Sequence, residues 1–242
     1  MIGYISAEWR KLHKMQLLGI GILLLSISSF IGLSTYFFNR SVFVEGTQTW
    51  VMWGQLTLLN SQIFYPALLA IFMGISMMPE FERTTLEMLR VNQVSLSKLV
   101  ISKILTVLFV TVPLQLLLVL IWSVALSFEQ IQVIPEIAVH LKWVFLSLIG
   151  SISIMMVQAF ILSKTRNFAK SVAFSAIGSI GGFLLLFVGE GLSRFYPYSQ
   201  IMIALRSRAL TDMSWMELLI FVLINAIYSI LFFGLTVREL RK

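Results

Sequence analysis

Cysteine is absent from this 242-residue sequence, which excludes disulfides, thiolate metal sites and cysteine nucleophiles. Histidine occurs only as His13 and His140, so no histidine cluster can form. Charge is scarce too: 12% of residues are charged, about half the share of an ordinary soluble domain. Several catalytic signatures are missing. Lys164-Thr165 and Lys170-Ser171 lack the preceding glycines of G-x-x-x-x-G-K-[ST], so the chain has no phosphate cradle of that kind. Neither H-E-x-x-H nor G-x-S-x-G with a histidine in reach occurs. The acids fall in loops or at the ends of apolar runs, and the expectation is that none is buried as a proton relay or ion site. Lacking a nucleophile–base pair, the chain is disfavoured as an intramembrane hydrolase. It reads as a machine powered from outside itself.

What is present is apolar. Hydrophobic residues make up 58% of the chain and mean hydropathy is +0.92, the composition of an integral membrane protein. Six runs are long enough to cross a bilayer at about 20 residues each, and they leave room for one polytopic domain, 1–242. The expected spans are 17–38, 56–77, 104–128, 143–162, 171–188 and 215–237. Ahead of them, residues 1–16 place Ile2, Ile5, Trp9 and Leu12 on one helical side and Glu8, Arg10, Lys11 and Lys14 on the other. That pattern suits a helix lying in the interface, or equally a basic flank orienting the first span. The first apolar run is too long for a cleavable signal and no small-residue cleavage site follows it. In the connection 39–55, Trp50 and Trp53 read as interface anchors, and Pro66 as a kink in the second span. Gly19, Gly21 and Gly32 of the first span would let another helix approach closely.

Gln115, Gln158 and Asn225 are polar residues within spans. They could line a pathway, but bonding across helices is the favoured role. Residues 190–213, with Arg194-Phe195-Tyr196-Pro197-Tyr198 followed by apolar residues around Arg206 and Arg208, are too apolar for a free loop. They read either as helices that dip into the outer leaflet and return, or as an interfacial helix over the bundle.

The +7 charge is unevenly placed, which points to loop asymmetry rather than to nucleic acid. Thirteen of the eighteen cations lie in the two terminal arms, in Met78–Lys103 and in the 163–170 turn. Both termini are therefore expected on the cytoplasmic side.

Met78 to Lys103 is the one long hydrophilic stretch between spans. Glu80, Glu82 and Glu87 mingle there with Arg83, Arg90, Lys98 and Lys103, and Phe81, Leu86 and Leu89 supply an apolar side. The pattern predicts a short helix, a turn near Val91–Val94, and a helix restart capped by Ser95. A docking surface for a soluble partner and a plain solvated loop are both open to such a stretch.

Taken together, these features resemble the membrane permeases of ABC exporters of the second structural class. In the stretch after span two, Glu80, Glu82 and Arg83 match the family's charged start, Thr85 its threonine and Leu89 its leucine. Ser95, Lys98 and Lys103 match the closing serine and basic positions. Thr84 stands in place of the usual glycine, and Asn92-Gln93 where proline is common. The size and the opening ISAEWRKLHK look like the lantibiotic-immunity permeases.

The resemblance implies an all-α fold of six transmembrane helices with both termini inside. It also implies an N-terminal interfacial helix, a cytoplasmic coupling helix between spans two and three, and a re-entrant connection between spans five and six. It further implies a transport subunit of the bacterial cell membrane that is not itself an enzyme. ATP and magnesium would sit on two copies of a separate cytosolic ABC ATPase, and a second permease, identical or paralogous, would complete the pathway. The cargo would be an antimicrobial peptide taken from the bilayer. Glu80, Glu82, Arg83, Thr85, Leu86, Leu89, Arg90 and Lys98 would form the ATPase-docking surface. Other amphipathic cargo (a bacitracin-type peptide, lipid or drug) and a non-transporting scaffold or regulatory subunit are the competing expectations.

Overall fold

A computed structural model of the chain describes every residue except Glu45, Arg83 and 132–135, and at Glu190 the backbone alone. The described residues form helices and no strands. They are α1 (Ile2–Lys11), α2 (Lys14–Phe38), α3 (Gln48–Leu59), α4 (Tyr65–Met77), α5 (Thr85–Val91) and α6 (Leu96–Phe128), followed by α7 (Ile137–Thr165), α8 (Phe168–Val188), α9 (Glu190–Ser193), α10 (Gln200–Ala204) and α11 (Trp215–Leu240). Six helical units are long and apolar enough to cross a membrane: α2, Gln48–Phe81, α6, α7, α8 and α11.

Local chemistry sets the breaks. The turn before α6 passes through Gln93 at φ 54°, and the Ser95 side chain accepts the Lys98 N–H, as the sequence predicts. Arg166 closes α7 in the left-handed region, and Asn167 then caps α8 by accepting the Lys170 N–H at 2.9 Å. Ser214 and Glu217 open α11 with a reciprocal capping box.

The second unit differs from the expectation at its start. Residues 48–55 are helical, so α3 begins well before the apolar run. Trp53 is consequently no interface anchor. It is 1% exposed, and its indole N–H donates to the Leu205 carbonyl at 2.7 Å. With Trp50, Trp122 and Trp143 it surrounds His140, whose ring stacks on Trp122 at 3.9 Å between centroids. Between α3 and α4 the helix widens into a π turn over Asn60–Phe64. Pro66 follows at once; its ring displaces the carbonyl four residues back, and the widened turn absorbs the misfit. The kink expected at Pro66 thus takes the form of one extra residue in a turn.

α7 is the axis of the bundle, packed against α4, α6, α8, α10 and α11. Two thirds of its apolar window (67%) is buried, against 17% for α11, which presents most of its surface outward. α2 lies along α3 because Gly32 admits the Gln55–Leu56 backbone where any Cβ would collide. Gly21 meets only the Leu114 side chain, whereas Gly19 has open space beside it.

Candidate functional site at the terminal end

Contacts sort the loops into two ends. At one end α1 meets residues 78–103, α5 meets the C-terminus, and Lys164 and Arg166 lie near Glu239. At the other, Arg40 pairs with Glu129, Thr49 donates to Glu136, and Lys142 pairs with Asp212. The cation-rich segments therefore share one end of the molecule.

That end is organised around Lys103, one turn into the apolar part of α6 and 2% exposed. Its ammonium donates to Glu8 Oε2 at 2.6 Å, to the Ser76 carbonyl at 2.7 Å and approaches Glu80 Oε1 at 2.9 Å. All three donors of the ammonium are thus used. Lys11 closes the ring, reaching Glu8 Oε1 at 2.8 Å and Glu80 Oε1 at 3.2 Å. Burial acts to lower the Lys11 pKa, but the two carboxylates outweigh it and raise the group above its ordinary value. Two carboxylates and two ammoniums balance, so a charge cluster is accommodated where a single charge would be expelled.

This cluster corrects the expectation that no carboxylate is buried: Glu8 and Glu80 are each 3% exposed. Glu8 was expected on the headgroup side of α1, and Glu80 among docking residues. The reason for both differences is Lys103, which would be unpaired inside the bundle without them. The cluster ties α1 and the end of the second helical unit to the base of α6. Two further contacts fasten the same region. The Ser95 N–H donates to the Tyr4 hydroxyl at 3.2 Å. Arg90 donates through Nε and Nη2 to the Leu240 carbonyl, at 3.1 and 2.5 Å, which satisfies a terminal carbonyl of α11.

The remaining residues of the stretch divide by side. Leu86 is buried, Thr85, Leu89 and Arg90 are half-buried, and Glu82 and Lys98 are exposed. Arg83 lies outside the described residues. The exposed face of α5 is made by Glu87, Met88 and Val91, with Met88 60% and Val91 80% exposed. The sequence reading missed these two apolar residues, although their spacing of three was visible. Leu86 and Leu89 turn toward the bundle and leave Met88 and Val91 on the outside.

In the bundle core, the Gln158 amide donates to the Tyr198 hydroxyl at 2.7 Å and Gln158 Oε1 accepts from Ser171. Asn225 accepts from Ser153 at 2.6 Å and donates to Gln200 Oε1 at 3.0 Å. Both residues therefore bond across elements, the role favoured from sequence. Gln115 lines a cavity of about 10 Å³ with Asn60 and Tyr65. Tyr198, Gln200, Ile201 and Leu205 of the connection after α8 are buried among the spans.

No curated protein and no solved structure matches the chain. The family described as ABC-2 family transporter protein matches residues 4–182, three quarters of the chain, from α1 through most of α8. That family consists of membrane components of ABC transporters, which work with an ABC ATPase. With its six apolar helical units, the chain belongs to the ABC-2 transporter family, as a multi-pass membrane permease.

Proposed function

We propose that this chain is the transmembrane subunit of an ATP-driven exporter that removes lantibiotic-type antimicrobial peptide from the bacterial cell membrane. Both termini face the cytoplasm, and the Lys103 end is the cytoplasmic end. Two copies of an ABC ATPase, carrying ATP and magnesium, dock on two permeases, identical or paralogous. α1 lies in the interface, and the connection 189–214 re-enters the outer leaflet. The observation that carries this reading is the exposed apolar face of α5 on a base held rigid by buried ion pairs. Met88 and Val91 supply apolar area; Glu82, Glu87 and Lys98 at its rim supply register. Thr85, Leu86, Leu89 and Arg90 hold α5 against the bundle, and Glu80 fixes the chain leading into it. A push on α5 then reaches α6 through Lys103 and α11 through the Arg90–Leu240 contact. A soluble loop without a partner has no need of that fastening.

The test is co-purification in mild detergent from cells that express the chain together with the genes neighbouring its own. The expected outcome is a complex containing the ATPase, with ATP turnover in the complex and none in the isolated chain. Cells carrying the complex should survive a lantibiotic that kills cells lacking it. Repeated isolation of the chain alone would instead support a scaffold or regulatory subunit.

A further inference from the structure

The end of the molecule opposite Lys103 contains a half-open cavity of about 150 Å³ between α8, α10 and α11. Its walls are of two kinds. Leu186, Met202, Ile203, Ile220 and Phe221 form an apolar part, and Arg194, Arg206 and Arg208 bring three guanidiniums to it. Glu217 is the one carboxylate among the described lining residues, so the cavity carries a net charge of two positives. Arg194 and Arg206 both approach Glu217, but at 3.6 and 3.5 Å, well beyond the roughly 2.7–2.9 Å of a strong charge-assisted bond. Arg208 has one bond to the Leu186 carbonyl, at 3.3 Å. With five donors on each guanidinium, Arg194 and Arg208 leave most of their capacity unused, whereas Arg206 spends its own on Thr211, Asp212 and Glu217.

Position completes the argument. α8 ends at Val188 and α11 begins at Trp215, so Leu186 and Ile220 lie just inside the span ends and the arginines just outside them. Exposed Phe187, Phe195, Trp215 and Met216 surround this region with apolar surface. The cavity therefore straddles the level where hydrocarbon gives way to headgroups, and this holds whichever side of the membrane it faces. We infer that it is a binding site for an anionic lipid, with the phosphate held by Arg194 and Arg208, the charge of Arg206 nearby, and the upper acyl chain laid along Leu186, Ile203 and Phe221. Planar guanidiniums match phosphate oxygens in pairs, and a phosphate would offset the positive charge that one carboxylate leaves uncompensated in the cavity. The inference requires no ATPase and stands apart from the identity of the exported cargo.

The experiment uses the full chain, purified in detergent, with native mass spectrometry counting bound lipid. The probes are dioleoylphosphatidylglycerol, dioleoylphosphatidylcholine and, as competitor, inorganic phosphate. Wild-type protein should retain phosphatidylglycerol and lose phosphatidylcholine. An arginine near an anionic lipid is worth roughly fivefold in affinity, so Arg194→Gln with Arg208→Gln should weaken retention by roughly 25-fold. Arg206 is left in place because its guanidinium bonds the Thr211 and Asp212 carbonyls and holds the loop. Ala209→Trp, which fills the cavity and keeps every charge, should abolish retention as well, so the inference remains testable if one variant fails to fold. Equal retention of the two lipids, or unchanged retention in the folded variants, overturns the inference. Displacement of the lipid by inorganic phosphate at equal concentration would overturn it in favour of a free anion as the ligand.

Discussion

A single buried lysine decides how three parts of this chain meet. Lys103 is enclosed with Glu8 and Glu80, and truncating one partner of such a group costs far more than the group contributes net. Lys103→Met leaves two carboxylates facing each other with Lys11 alone, so a loss of about 3–5 kcal/mol is expected. Thermal melting of the purified chain measures it. Replacing the buried members together, Glu8→Leu, Glu80→Leu and Lys103→Met, should recover most of that stability, because apolar substitutes of similar size avoid the desolvation cost. Failure of the triple variant to recover would show that the cluster stabilises the fold outright. Asp212 carries a different prediction, in pH. Burial acts to raise its pKa, but hydrogen bonds from Lys142, Trp143 and the Met213 N–H outweigh it and hold the carboxyl below its ordinary 3.8. The folded pKa is the lower one, so the stabilisation is present above the ordinary value and disappears as pH falls through the folded value. Asp212→Asn should therefore melt below wild type at pH 7 and converge with it toward pH 3. A gap that stays constant with pH would remove the charge from the explanation.

At the scale of elements, α5 separates docking from mere topology. Met88 and Val91 are exposed, so Met88→Asp with Val91→Asp leaves the bundle untouched while placing charge on the face offered to a partner. Burying an unpaired carboxylate there costs several kcal/mol of association. The variant should reach the membrane at wild-type level and lose the co-purifying ATPase. Full ATPase association in the variant would mark α5 as a solvated loop helix. The same element shows what was legible beforehand. A short helix in this stretch, the turn after it and the Ser95 cap could be read from sequence because each is settled by neighbours within a few residues, although the helix expected over 80–90 is broken at Glu82 and runs over Thr85–Val91. The six apolar units were legible for the same reason. The Glu8–Lys103 pair spans 95 residues, and nothing local in α1 distinguishes a glutamate that will be buried from one that faces headgroups. Residues 48–55 read from sequence as a connection because polar composition there stands in for conformation. Their helix is maintained by Trp53 and Thr57, which bond the 205–207 segment some 150 residues later. The side of α5 that faces outward likewise depends on Arg90 finding the Leu240 carbonyl.

For the whole molecule the open question is sidedness, and the cysteine-free chain suits a labelling test. Ser41 and Leu210 are exposed at one end, Asn92 and Ala169 at the other. Single cysteines at Ala169 and Asn92 should be shielded from an impermeant thiol reagent in intact cells, and those at Ser41 and Leu210 should react. The reverse pattern would invert the orientation and move the α5 face away from any cytosolic ATPase. The π turn at Asn60–Phe64 joins the two ends of the bundle and governs how the chain can change over generations. Deleting one residue there would close the wide turn into ordinary α-helix and keep α3 in nearly its present phase, because the extra residue adds little net rotation. It would, however, set the Pro66 ring against the carbonyl four residues back, which the wide turn now accommodates. A deletion elsewhere in α3 has no wide turn to absorb it and would turn the residues before it by about 100°, taking Trp53 from His140 and the Gln55–Leu56 backbone from Gly32. The length of this helix can therefore drift only at the π turn, at a cost set by Pro66, or at its ends.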